Sequence, residues 1–400
     1  MSTAWRQSKA LVLVAALTAM AITILNLAPL AALAIGSLRS EEQWGLGAFR
    51  SLGTALDFAP VMLNSWAFAL GTTAVSLVLG VSLAFLTSRT DLPATGFVRG
   101  SVLAAFVSPP WLLAMAYVFL ASPNAGLINQ IADAWFGVKP LNVQSLGGMI
   151  AVSSLFLFSF VFLVTEGALS QIDGSFEEAA RAAGAGLLRT ALRVTLPLIA
   201  PTLIAASVFS LIIAWGLFAI PAILGMPARV YVFSTQLYLL LSTFPPKYET
   251  AAALGMVFAM ISLLLGAGLT FARRSLPVSR FAVVAGKGRR PATAKLGYWR
   301  PIAVAYVSLL IFLAVLLPFT VVAYMALVPN LFGEFDLSRL SLANFSYLFF
   351  DYGSLGRVTL NSLMLAGGES VLVLAVAMAA TYLVQRTAWP VGRFSLCRST

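Results

Sequence analysis

Few residues in this chain can do covalent or acid–base chemistry. Its 400 residues hold 14 carboxylates, one cysteine and no histidine. With Cys397 alone, a disulfide framework and a Cys/His metal site are both excluded by arithmetic. No nucleophile–base pair or carboxylate dyad stands out. Gly286-Lys287-Gly288 lacks the G-x-x-x-x-G-K-[ST] spacing that lets backbone N–H groups cradle phosphate. The expectation is a chain without catalytic, cofactor-binding or metal-ligating residues.

The residues that do form a spaced pattern lie in the polar stretch 166–197, EGALSQIDGSFEEAARAAGAGLLRTALRVTLP. Glu178-Ala179-Ala180 is followed after three residues by Gly184, and after nine more by Val194-Thr195-Leu196-Pro197. What such a segment can do is mechanical. A short helix, a tight turn at Gly184 and a second helix make a rigid knob that moves without unfolding. Ala179, Ala180, Ala182 and Ala183 are small enough to let the knob seat closely in a cleft on a partner. A purely structural reading stands beside this one: Ser175-x-x-Glu178 is also a capping box, and Pro197 suits the first turn of the helix that follows.

The spacing resembles the E-A-A, three residues, G, nine residues, I-x-L-P signature of the inner-membrane permeases of binding-protein-dependent, ATP-driven importers, with Val194 in place of the usual Ile. The resemblance implies that Glu178, Ala179, Ala180, Gly184, Val194, Leu196 and Pro197 form the coupling loop that docks onto a cytoplasmic ATPase subunit. Segments Ser108–Tyr117, Pro123–Asn129 and Ile220–Tyr231 further look like parts of ferric-iron-type permeases, which are commonly two fused halves. Relatives carrying thiamine, polyamines, phosphonates or sulfate share much of this layout.

Polar and helix-breaking residues inside apolar runs are the candidates for a translocation path, because lipid does not tolerate them cheaply. They are Ser108 with Pro109 and Pro110, which interrupt the third apolar run, and Glu369, the one carboxylate well inside a run. A packing kink and a neutral, hydrogen-bonded Glu369 are the alternatives. Gly80, Gly266 and Gly268 read as places where helices approach each other.

The elements that must position these residues are membrane spans. Hydrophobic residues make up 60% of the chain and charged ones 10%, with a mean hydropathy of +0.94. Crossing a hydrocarbon core of about 30 Å takes roughly 20 apolar residues. Eight runs meet that need, near 10–36, 61–86, 101–121, 147–165, 198–224, 250–272, 301–328 and 360–385. The first is too long for a signal-peptide core. The fold class expected is an all-α polytopic membrane protein.

The net charge of +11 is a topology signal and not a polyanion site. With alternating spans and a cytoplasmic N-terminus, 18 of the 25 basic residues fall on the cytoplasmic side. Both termini are then cytoplasmic, in a bacterial inner membrane, and nucleic acid is not expected as a partner.

An internal repeat organises the chain. Residues 63–97 align without gaps onto 360–394 with 11 of 35 identities, including Leu-Asn-Ser at the start and Arg89-Thr90-x-x-Pro93 against Arg386-Thr387-x-x-Pro390 at the end. Pro29 and Pro318 correspond in the preceding spans. The expected domains are a permease half over 1–285, a basic linker over 286–300 and an incomplete second half over 301–400. By the same offset, the counterpart of 104–272 is missing, which reads as a truncated product, a frameshifted end or a partial sequence.

The resemblance implies a permease subunit that passes solute, ferric iron in the first instance, from an extracytoplasmic solute-binding protein while two separate ATPase subunits hydrolyse ATP and drive it. Having one coupling loop, it would need a homodimer or a separate second half. The competing readings are an ion-coupled secondary transporter, which needs no docking loop, and a transport-inactive membrane scaffold.

Overall fold

In the computed structural model, residues 2–40, 43–55, 58–275, 293–329 and 337–386 are described. In lipid every backbone N–H and C=O must find a partner within the chain, so apolar runs of this length fold as helices. Apart from a two-residue antiparallel pair, Arg39–Ser40 with Gln43–Trp44, the regular structure of the described residues is helical. Among the described residues, seven helices are long and apolar enough to cross a membrane, and a broken pair brings the total to eight if it counts as one span.

The first crossing is α1 (Ser2–Leu38). After α2 (Gly47–Ala55), α3 (Phe58–Arg89) and α7 (Leu146–Ser170) form the central pair. Gly80 lets them touch: a Cβ there would lie 2.6 Å from Val161 Cβ and 2.8 Å from the Phe158 carbonyl. Serines fill the seam, Ser154 Oγ donating to the Thr72 carbonyl at 3.3 Å. By contrast, a Cβ at Gly266 or Gly268 would meet nothing within 4 Å, so those two glycines do not serve close packing as expected.

The third run is not one straight helix. The helices α4 (Thr95–Val107) and α5 (Pro110–Ala121) meet at 98°. Two successive prolines remove two N–H donors, and the chain restarts with Pro110 in the first turn of α5, where its missing N–H has no helical partner to lose. The short α6 (Leu127–Phe136) then caps one end of the bundle, pinned by the buried Asn129, whose side chain bonds the Ser122 and Leu141 backbones.

The fifth crossing begins earlier than expected. After α8 (Ser175–Ala182), one helical path runs from Leu187 to Gly216 through α9 (Leu187–Thr190), a π turn (Ala191–Thr195) and α10 (Leu196–Gly216). Residues 187–197, expected to hold the second short helix of the knob ahead of the span, are thus the start of the span itself. The wide turn, with Leu196 N–H reaching back to the Ala191 carbonyl, accommodates Pro197.

Next come α11 (Ala219–Leu224), α12 (Phe233–Ser242) and α13 (Tyr248–Ser275), the last packed along α1. Beyond residue 293, α14 (Arg300–Ile311), a second π turn (Phe312–Leu316) and α15 (Leu317–Leu327) make one crossing. Here too the wide turn precedes Leu-Pro, at Leu317-Pro318. In the π register Leu317 N–H takes the Phe312 carbonyl, and Pro318 has no N–H to offer the next one, Leu313. Tyr117 supplies it, its hydroxyl donating to Leu313 O at 2.9 Å.

This crossing packs on α3, α4, α5 and α7. Val307, Leu310 and Ala314 share a core with Leu83, Val102 and Phe158. After α16 (Ala343–Ser346), the last helix, α17 (Leu355–Arg386), packs along α1 and is exposed over most of its described length.

Candidate coupling site

The patterned stretch forms a compact knob between α7 and the fifth crossing. At its entry, Ser175 is the first helical residue and not the cap. The Asp173 carboxylate accepts from the Ser175 N–H at 2.9 Å, and the Ser175–Glu178 capping box is not formed, because the chain turns in two residues earlier. At its exit, Gly184 takes φ +82°, with its N–H on the Arg181 carbonyl at 2.9 Å and the Ala185 N–H on the Ala180 carbonyl at 3.0 Å. This pair of bonds is the Schellman turn, which needs a left-handed residue after the cap and so favours glycine.

Helix facing separates two adjacent carboxylates. Glu178 is half-buried, while Glu177 points inward and is 93% shielded, its side chain being 7% exposed. Its Oε1 lies 3.0 Å from Arg89 Nε at the end of α3 and accepts from Thr195 Oγ1 at 2.9 Å. The Arg89 Nε–H is not aligned as a hydrogen bond, so this contact is an ion pair by distance. Arg89 spends its Nη2 on the Leu169 carbonyl at 2.7 Å, with Ile172 O at 3.5 Å. Leu169 sits in the last turn of α7, where carbonyls lack helical partners and the helix dipole favours a cation. One guanidinium therefore ties together α3, the end of α7 and α8, and the carboxylate extends the tie to the fifth crossing.

On the outside the knob is apolar and small. Phe176, Leu188 and Leu192 are 47%, 71% and 55% exposed, and Ala179, Ala182, Ala183 and Gly184 are exposed between them. Arg189 and Arg193 add positive charge on the same stretch. Of the remaining patterned residues, Ala180 and Val194 are half-buried, Leu196 packs on the core and Pro197 is exposed. The arrangement has the makings of a docking surface on a rigid base, and it holds no reactive group.

Sequence reasoning missed Arg89, Glu177 and Thr195 as a unit. One signal was available: Arg89 recurs as Arg386 in the repeat, a charge kept at the exit of an apolar span.

The candidates for a path are not brought together. Ser108 and Pro109 line a small cavity with Ala105, Leu112, Phe156 and Pro318. Its volume, about 10 Å³, is no more than a single water needs. Ser108 Oγ is engaged by the Ala104 carbonyl at 2.6 Å. Glu369 is exposed on α17 and does not line this cavity. A larger cavity of about 390 Å³, lined by Gly216, Phe218, Tyr238, Leu241 and Phe258 among others, lies at the far end of α10 and carries no charged residue.

Residues 76–274 match the family described as binding-protein-dependent transport system inner membrane component. The ferric transport system permease protein FbpB of Actinobacillus pleuropneumoniae is 27% identical over 323 residues, covering 78% of this chain and 44% of its own length. The chain thus spans less than half of that relative. The molybdenum transport system permease protein ModB of Escherichia coli K12 is 28% identical, covering 48% of this chain and 83% of its own. Among solved structures, a bacterial ABC transporter involved in the import of the acidic polysaccharide alginate superposes with a TM-score of 0.57 at 21% identity, over 68% of this chain and 99% of that one, a likeness of fold.

Proposed function

We propose that this chain, which belongs through residues 76–274 to the inner-membrane components of binding-protein-dependent transport systems, is the membrane-spanning permease subunit of an ATP-driven importer. It is a multi-pass inner-membrane protein, and ATP is hydrolysed in a separate subunit. The observation that carries this reading is the knob of residues 175–197: an apolar, small-residue surface held on a base that one buried ion pair fixes to two spans. A secondary transporter has no use for such an element.

In the proposed cycle, an extracytoplasmic solute-binding protein delivers solute to the face opposite the knob. ATPase subunits close on ATP and displace the knob, and the spans attached to it alternate access to a path between two permease halves. Glu178, Ala179, Ala180 and Gly184 present the docking surface, while Val194, Leu196 and Pro197 shape the start of the fifth crossing. The domain division at 1–285, 286–300 and 301–400, the cytoplasmic termini and the complementing half, from a second copy or another chain, belong to the same reading. The bend at Ser108–Pro110 is the proposed place where the path opens, since the cavity there is closed to any solute.

Ferric iron is the proposed solute, supported by the length over which the ferric relative aligns. Molybdate is the second reading, supported by the molybdenum relative. Uptake of labelled ferric iron and of labelled molybdate into cells lacking, then regaining, this operon decides between them. Restored uptake of one names the solute, and unchanged iron uptake removes iron. Co-purification of an ATPase subunit with the native chain, and its loss in Gly184→Val, tests the permease reading itself.

A further inference from the structure

The end of α3 does more than hold Glu177. Arg89 is its last residue, and the backbone around it is bonded to the segment that precedes α14. Ala294 N–H donates to the Arg89 carbonyl at 2.9 Å, and Asp91 N–H donates to the Ala294 carbonyl at 3.2 Å, pairing Thr90 with Ala294 in a single parallel bridge. The Asp91 carboxylate then accepts from the Leu296 N–H at 2.8 Å. Leu296 is 5% exposed and sits in the same core as Leu92 and Val98. From there a 3-10 turn, Gly297–Trp299, leads directly into α14 at Arg300.

A helix C-terminus has carbonyls without partners, and any nearby N–H can satisfy one. A water molecule or a side chain would do this as well as a distant segment. Here the donor comes from the linker between the repeats, two further bonds fix its direction, and a buried leucine fixes its depth. The same residue whose carbonyl takes the linker carries the guanidinium that holds α8.

We propose that residues Arg89–Asp91 are a mechanical junction that joins the knob to the linker, so that displacement of α8 is passed to α14 and hence to the second repeat. Arg89 and Asp91 are positioning residues. Arg89 grips Glu177 on one side, and Asp91 grips Leu296 on the other. The linker is then a transmitting strut and not a passive tether. The link itself is independent of what docks on the knob, and only its use in transport rests on the permease reading above.

The link and its use in transport are separable by experiment. Hydrogen exchange on the full chain in nanodiscs, with no ATPase present, tests the link. Glu177→Ala speeds exchange at the Ala294 and Leu296 amides about five- to tenfold, the factor for weakening one net hydrogen bond. Glu177→Asp, which keeps the charge, restores part of the protection. If Glu177→Ala leaves those two amides at the native rate while residues 175–182 exchange faster, the linker is only a cap on α3 and the junction is wrong. With the co-purified ATPase and loaded binding protein in proteoliposomes, Asp91→Ala loses binding-protein-stimulated ATP turnover at native ATPase occupancy, and Asp91→Asn, which retains the acceptor oxygen, keeps it. Native stimulation in Asp91→Ala overturns the junction. Absence of any ATPase subunit on the native chain overturns the permease reading while leaving the exchange result to judge the link.

Discussion

Arg89 and Glu177 meet at 3.0 Å with 3% and 7% of their side chains exposed. Neither charge would remain in so dry a place alone. Taking one partner away leaves the other uncompensated, at a cost of about 3–5 kcal/mol, whereas replacing both with apolar groups of similar size is often close to neutral. Glu177→Ala is expected to lower the thermal unfolding temperature of the purified chain strongly. The double variant Arg89→Met with Glu177→Leu recovers most of that stability and still fails to hold α8 in register. Unfolding scans of the single and double variants in one detergent check this, and equal losses in both would reject the assignment.

The turn at Gly184 separates backbone from bulk. A Cβ there meets nothing within 4 Å, so the cost of substitution is the left-handed backbone at φ +82°. Asn tolerates that conformation and a β-branched residue does not, with a penalty of about 1–2 kcal/mol. Gly184→Asn is expected to keep ATPase co-purification near the native amount and Gly184→Val to lose it. Quantitative immunoblots of the purified complexes read the difference.

Gly80 gives the opposite case. Its Cβ would lie 2.8 Å from a backbone carbonyl on α7, which cannot rotate away. Gly80→Ala is expected to push α3 from α7 and cost about 1–3 kcal/mol by overpacking. A lowered unfolding temperature and reduced membrane yield are the signs to look for.

Tyr117 and Pro318 form a testable pair. Tyr117→Phe leaves the Leu313 carbonyl without its donor, at about 1–3 kcal/mol. Pro318→Ala returns an N–H to the wide turn, so the double variant is expected to be more stable than Tyr117→Phe alone. A double-mutant cycle on unfolding temperature measures the coupling, and strict additivity would mean that the hydroxyl and the proline act independently.

The spans and the class of the fold were legible because a membrane helix needs only length and apolarity, both local properties. The knob was legible as a spacing, since Gly184 marks a left-handed turn whatever surrounds it. What the spacing could not show is which of Glu177 and Glu178 turns inward, for they differ by one step around α8 and only the position of Arg89 decides. The capping box failed for a similar reason: Asp173 reaches the first free N–H before Ser175 can serve as a cap. Residues 187–197 read as a short helix separate from the span, yet a wide turn carries one helix through Pro197. Glu369 was marked by its charge inside an apolar run, and the packing that leaves α17 exposed is a tertiary fact beyond any local pattern.

The proposed role of the knob is to receive an ATPase subunit. Cross-linking in native membranes tests it directly. In a Cys397→Ser background, a cysteine replacing the exposed Ala183 on the knob is compared with one replacing the exposed Ala125, near α6 at the other end of the bundle. A product between the chain and an ATPase subunit that changes with ATP is expected from position 183, and none from position 125. No ATPase product from position 183, or equal products from both, would contradict it.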